Sequence, residues 1–112
     1  MNTRRIFLQS SAALVAAPSF AASAEWPDKP LKIIVPLPAG GAVDVSVRAM
    51  ATEMEKLLKQ TVVVDNRPGA SGNIALELAA NSTPDGHILF VGNVSTNAIN
   101  ETTFKSLKVK PS

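Results

Sequence analysis

The 112-residue chain has no cysteine, a single histidine and a single tryptophan. Without cysteine there can be no disulfide, no thiolate metal site and no thiol nucleophile. That absence leaves the compartment open, because exported proteins need not carry disulfides. One histidine and scattered carboxylates supply no metal-ligand cluster, so no metal and no cofactor is expected. Beyond residue 24 the only aromatic residues are Trp26, Phe90 and Phe104, too few for a base-stacking platform. An excess of one charge is also missing. Eleven Lys and Arg face nine Asp and Glu, and setting aside Arg4 and Arg5 in the leader leaves nine of each sign. A neutral chain cannot neutralise a run of phosphates, which excludes nucleic acid as a partner. There is no internal repeat and no low-complexity tract. The length allows one domain at most, and a hydrophobic fraction of 46% is ordinary for a folded one.

Residues 1–24 read as a secretory signal peptide. Arg4 and Arg5 form the positive start, residues 11–22 an apolar stretch, and Ala22-Ser23-Ala24 a small-x-small cleavage site. The stretch falls short of the roughly 20 apolar residues of a membrane span. Thr3-Arg4-Arg5-Ile6-Phe7-Leu8-Gln9 is similar to the twin-arginine export motif, with Gln9 in place of the usual Lys. Cleavage after Ala24 leaves residues 25–112 as an exported product in the bacterial periplasm, with no membrane insertion of its own.

The mature region alternates short apolar runs with helical patterns. Residues 31–35, 61–64 and 88–91 are strand-length, and the first two are rich in β-branched side chains. Continuous rather than alternating apolar character predicts strands covered on both faces, as in a parallel sheet. Val43, Val47, Met50, Met54, Leu57 and Leu58 recur at helical spacing and predict one apolar stripe. Asp44 falls in that helix's first turn, where the dipole favours a carboxylate. A second, shorter helix presents Ile74, Ala75, Leu78 and Ala79, with Ser71 or Asn73 expected as its N-cap and Asn81 at its end.

The order is β-α-β-α-β, an α/β fold with a parallel core. Right-handed crossovers with strand order 2-1-3 put the helices on opposite faces. Ligands in such sheets bind beyond the strands' carboxyl ends at the switch between strands one and three. The segments expected there are residues 36–44 and 92–100.

Those segments carry the candidate chemistry. Pro36-Leu37-Pro38-Ala39-Gly40-Gly41 precedes a helix, where free N–H groups and the dipole can hold an anion; equally, it can be a stiff connection. It is neither a dinucleotide fingerprint nor a P-loop. Gly69-Ala70-Ser71-Gly72-Asn73 opens the second helix and approaches the nucleophile elbow, but Asn73 stands where that motif needs glycine. His87 is expected on the surface at the start of strand three, away from Ser71, so Ser71 reads as a cap or donor. Arg67 is expected to pair structurally with Asp65. Gly92-Asn93-Val94-Ser95-Thr96-Asn97-Ala98-Ile99-Asn100 is dense in neutral donors, which can share one carboxylate or serve as caps and turns.

Taken in order, these motifs resemble the Bug-type extracytoplasmic receptors of tripartite tricarboxylate transporters. The match runs from Trp26-Pro27-Asp28-Lys29-Pro30 and the strand to Pro36, through Pro38-Ala39-Gly40-Gly41 and Asp44. It continues with Val62-Val63-Val64-Asp65-Asn66-Arg67-Pro68-Gly69-Ala70-Ser71-Gly72-Asn73-Ile74 and Pro84-Asp85-Gly86, and closes on Ser95-Thr96, Ala98-Ile99-Asn100 and Phe104 with Leu107. Leu37 and Asn97 depart from the family, which favours an aromatic and a histidine there. The resemblance implies a two-lobed periplasmic binding fold of type II, of which residues 25–112 would be an incomplete N-terminal lobe. It implies a solute-binding protein rather than an enzyme, with a small carboxylate as ligand and membrane transporter subunits as partners. The implied ligand-binding positions are Pro38, Ala39, Gly40, Gly41 and Asp44, then Ser71, Gly72 and Asn73, then Ser95 and Thr96. Rival readings are a small periplasmic serine hydrolase built on Ser71 and a gene fragment without function.

Overall fold

A computed structural model describes residues 24–103. Most of the expected leader and the Phe104 and Leu107 positions lie outside the described residues. Three parallel strands, β1 (Leu31–Val35), β2 (Val62–Asn66) and β3 (Ile88–Phe90), pair in the order β2-β1-β3. Leu31 lies opposite Val62 and Val35 opposite Asn66, while Lys32 lies opposite Ile88. The strands are parallel as expected, and their order is the 2-1-3 arrangement considered from the sequence. Strand β2 runs two residues further than its apolar run, because Asp65 and Asn66 keep the ladder with Ile34 and Val35. Strand β3 ends one residue early, although Val91 N–H still donates to the Ile34 carbonyl at 2.9 Å.

Helix α1 (Ala42–Leu58) connects β1 to β2, and its C-cap Lys59 turns left-handed at φ 53°. Val62 N–H donates to Glu55 Oε1 at 2.8 Å, which ties the start of β2 to the end of α1. Helix α2 (Asn73–Ala80) connects β2 to β3 and ends on Asn81, as expected. Beyond β3, a π turn (Ser95–Ile99) runs into a one-turn helix α3 (Asn100–Thr103).

The core forms where α1 lies on Leu31, Ile33 and Val35, contributing Val47 and Ala51, with Met54 and Leu58 packed against them. Strand alternation turns Ile34 to the other face; it too is buried, as is Ala75 of α2, which packs on β3 and β1. The helices therefore cover opposite faces. Two expectations need correction. Only β1 is closed on both sides: Val63 and Leu89 on the flanking strands stay exposed, because each helix reaches one face only. The stripe on α1 is also narrower than expected. Val47, Met54 and Leu58 face the sheet with Ala51 and Asp44, whereas Val43, Met50 (50% exposed) and Leu57 (81% exposed) form a row turned outward. These three positions repeat every seven residues, so they align with each other but not with the sheet.

Candidate functional site

The loops following all three strands meet at the carboxyl end of the sheet and line a groove of about 260 Å³. Pro36, Leu37 and Pro38 come from beyond β1, Pro68, Gly69, Ser71 and Gly72 from beyond β2, and Asn93 and Ser95 from beyond β3. This is the switch-point position expected for a parallel sheet of this order. A larger hollow of about 440 Å³ lies at the opposite edge, between Trp26 and the end of α1. It is remote from the glycine loops and helix starts.

The β2–α2 connection is a left-handed turn. Gly69, Ala70, Ser71 and Gly72 have φ values of 122°, 46°, 54° and 89°. For alanine and serine this conformation costs roughly 1–2 kcal/mol each, so the surroundings must hold it. Gly72 N–H donates to the Gly69 carbonyl at 2.9 Å, and Asn73 N–H to the Ala70 carbonyl. A Cβ on Gly72 would lie 2.4 Å from Thr96 Cγ2 and 3.2 Å from Pro36 Cβ, so only glycine lets the three loops meet here. The N-cap of α2 is Gly72, with no side-chain cap, rather than Ser71 or Asn73. Ser71 is disqualified by its left-handed backbone, since a side-chain N-cap needs extended φ and ψ, and Asn73 is already inside the helix.

Asp44 is 3% exposed, and its carboxylate accepts three kinds of protein donor. Gly40 N–H and Arg48 Nε each donate to Oδ2 at 2.9 Å, and Asn66 Nδ2 donates to Oδ1 at 2.9 Å. Arg48, then Gly40 and Asn66, hold its pKa down to about 2 from an ordinary 3.8. Asn66 also donates to the Leu37 carbonyl at 3.1 Å and accepts from Arg48 at 3.0 Å. The cluster fastens the β1–α1 loop to the end of β2. Arg48 and Asn66 are the members that were not among the sequence-predicted site positions.

Beyond β3, Asn93 and Thr96 cap each other. Asn93 Oδ1 accepts from Thr96 N–H and Thr96 Oγ1 accepts from Asn93 N–H, both at 2.9 Å. This is the geometry of a capping box. Thr96 is fully buried, so its hydroxyl is turned into the cap, while Ser95 lines the groove. Of the ten sequence-predicted positions, Pro38, Ser71, Gly72 and Ser95 line the groove. Asn73, Thr96 and Asp44 stand behind it in buried hydrogen bonds, and Ala39, Gly40 and Gly41 lead into α1. Asn100, quoted in the motif but not among the predicted site positions, also has a part here. It is 2% exposed and donates to the Ser71 carbonyl at 2.9 Å.

The opposite edge of the sheet is charged. His87 is buried rather than on the surface, because the segment ahead of β1 folds over it. Its ring tilts against Trp26, Nδ1 lies 3.1 Å from the Asp85 carbonyl, and Nε2 lies 3.0 Å from Asp28 Oδ1 but off the hydrogen-bonding direction. Asp85 takes Lys29 Nζ and the His87 N–H, which hold its pKa down to about 2. Lys29 is raised in turn, first by the bond to Asp85. Ser71 and His87 thus sit at opposite ends of the sheet, and no nucleophile–base pair is assembled between them. Arg67 pairs with Asp65 through Nε at 2.9 Å and Nη2 at 3.2 Å, the structural contact expected for it. Among the described residues no group of three or more His, Asp or Glu could hold a metal, and no helix is long and apolar enough to cross a membrane.

Comparison with known proteins agrees with this geometry. The family model described as the tripartite tricarboxylate transporter family receptor matches residues 46–112. Protein BugT of Bordetella pertussis is 41% identical over 70 residues, which is 62% of this chain and 22% of that protein. MatC from Rhodopseudomonas palustris, solved with bound malate, superposes with a TM-score of 0.71 at 34% identity, over 77% of this chain and 29% of its own. A second R. palustris protein, solved with adipate, gives 0.73 at 31% identity, over 78% and 29%. The chain spans between 20% and 29% of the length of the relatives it matches. The parallel β2-β1-β3 sheet is therefore part of a periplasmic binding fold, and the chain belongs to the Bug-type receptors of the tripartite tricarboxylate transporter family.

Proposed function

We propose that this protein is the periplasmic solute-binding component of a tripartite tricarboxylate-type transporter and that its groove takes one carboxylate group of a small ligand. The leader, residues 1–24, directs export, and residues 25–112 form part of an N-terminal α/β lobe. The observation that carries the reading is the uncapped start of α2 at the groove, where Gly72 offers no side-chain acceptor to the first-turn N–H groups. Such a helix start favours an anion through both its N–H groups and its dipole. Ser71 and Ser95 add hydroxyl donors from two sides. Pro38, Ala39, Gly40 and Gly41 shape the third side, and Asp44, Asn73 and Thr96 hold the loops in place. Asp44 is already saturated by its own donors, which keeps its charge from opposing the ligand directly. The malate and adipate of the two R. palustris structures share a carboxylate at the end of a short chain, the chemistry assigned here to the groove. Delivery then goes to membrane transporter subunits, and no cofactor takes part.

The test is calorimetric titration of the native secreted product with malate, adipate and a neutral diamide of each length. Binding of a dicarboxylate with no response to the diamides is the expected result. Equal binding of the diamides, or no binding of either acid, would remove the carboxylate reading. Ester hydrolysis lost on Ser71→Ala would replace it with the hydrolase reading.

A further inference from the structure

The amino end of the sheet holds a buried ionisable group that the groove does not use. Residues 26–30 cross the turn ahead of β3, and Trp26 lies so close to Gly86 that a Cβ added there would be 3.3 Å from its Nε1. Beneath them His87 is 6% exposed. Charged groups surround it: Asp28 and Lys29 from the segment ahead of β1, Lys32 from β1, and Asp85 from the turn before β3. Lys29 is committed to Asp85, and Lys32 leans toward Asp65 at 3.9 Å. Asp28 faces His87 Nε2 at 3.0 Å. The ring's proton can be placed. Nδ1 faces two acceptors, the Asp85 carbonyl at 3.1 Å and Asp85 Oδ1 at 3.3 Å, so a neutral ring keeps its one hydrogen there. Nε2 is then a bare lone pair beside a carboxylate oxygen, and among the described residues it is the buried side-chain polar atom without a hydrogen bond. Two acceptors so close repel. A second proton, on Nε2, makes the same contact an attraction between opposite charges.

We propose that His87 is a pH-sensitive latch for the segment ahead of β1: a proton on Nε2 holds Asp28, and with it Trp26, over the amino end of the sheet, and loss of that proton releases them. Histidine ordinarily changes charge between about pH 5 and 8, whereas lysine and aspartate do not. Lys29, raised from 10.5, and Asp85, held at about 2, keep their pair throughout that range. Lys29 is therefore the pivot, and only the part of the segment ahead of it opens. The latch is closed on the acid side and open on the alkaline side. It stands at the opposite end of the sheet from the groove and does not rest on the carboxylate reading. The periplasm proposed for this protein follows the pH outside the cell, so the latch would meet swings that a cytoplasmic protein does not.

The experiment measures acrylamide quenching of Trp26 fluorescence in the full secreted product from about pH 5 to 8. Trp26 is the only tryptophan of residues 1–112, and the Trp26→Phe variant supplies the background to subtract. Trp26 is 52% exposed with the latch closed, so its quenching constant should about double as the pH rises. Asp28→Asn should keep the low value throughout, because an amide can accept from a protonated Nε2 and donate to a bare one. His87→Gln should also lose the pH dependence. Flat quenching in the wild type overturns the latch. So does a rise that persists in Asp28→Asn, or one that comes with loss of circular dichroism. If His87→Gln fails to fold, Asp28→Asn decides alone, since the Asp28 side chain is half exposed.

Discussion

The two ends of this sheet handle polarity in opposite ways. At the amino end, Lys29, Asp85, Asp28 and His87 form a cluster of charged and ionisable groups drawn together within the chain, with only His87 Nε2 left without a hydrogen bond among the described residues. At the carboxyl end the groove is lined by prolines, glycines, serines, one leucine and one asparagine, without a charged side chain. The one buried carboxylate nearby, Asp44, is saturated by Gly40, Arg48 and Asn66. Charges paired with one another have little left to offer a ligand. Backbone N–H groups and hydroxyls at helix starts do, and they carry no long flexible side chain that must be ordered on binding. The difference favours the uncharged end for the carboxylate site proposed above.

The largest expected effect that would break this contrast is Gly72→Ala. Its new methyl would meet Thr96 and Pro36 at a backbone with φ 89°, and combining left-handed strain with overpacking gives about 3 kcal/mol of lost stability in urea unfolding. Gly40→Ala is its control. Gly40 has the same φ of 89° but nothing within 4 Å of the added carbon, so about 1 kcal/mol is expected. Equal losses would mean that backbone strain, and not the meeting of three loops, makes Gly72 necessary.

Acid unfolding compares the two ends directly. Asp44 and Asp85 are both held at about 2, below their ordinary 3.8. A carboxylate with a lowered folded pKa contributes stability that is fully present above its unfolded value and is lost as pH falls through the folded one. Stability should therefore drop between pH 3.8 and about 2. Asp44→Asn and Asp85→Asn should each remove about half of that drop, since the two values match. Lys29 is raised from 10.5, so its share is present below that value and lost as pH rises past it; Lys29→Met should abolish the alkaline loss and, because the bond from Lys29 is the first cause of the lowered Asp85 value, also shrink the Asp85 share of the acid one. Circular dichroism melts across pH check all three. The smallest effect is expected at the Lys56–Glu53 pair on the outer side of α1. Both side chains are well exposed, and Lys56→Ala should change stability by no more than about 0.5 kcal/mol.

The sheet was legible in the sequence because its signals are local. Strand β1 is a short apolar run stopped by Pro36, and once the order β2-β1-β3 is taken, the handedness of the two crossovers sets the helices on opposite faces. The outward row on α1 was not legible. Val43, Met50 and Leu57 have the same spacing as the buried row, and only the position of the sheet decides between them. The cap of α2 was hidden for another reason: a serine in left-handed conformation has the same letter as a capping serine. His87 was misjudged because Trp26 and Asp28, which cover it, come from the other side of β1 in sequence. The groove's three loops were identified, but the roles of Asn66 and Asn100 depend on partners more than twenty residues away. No periodicity records such pairs.

The central place of β1 has a consequence for the order of events as the chain is made. Among the described residues it is the first strand and the one with neighbours on both sides, so it waits for Val62 on one edge and Ile88 on the other. Until both have left the ribosome, the most deeply buried of the three strands shows two bare edges and two uncovered faces. The middle of this sheet is thus its longest-lived vulnerability during synthesis. A holding partner at that stage would be needed most by the residues that later need it least.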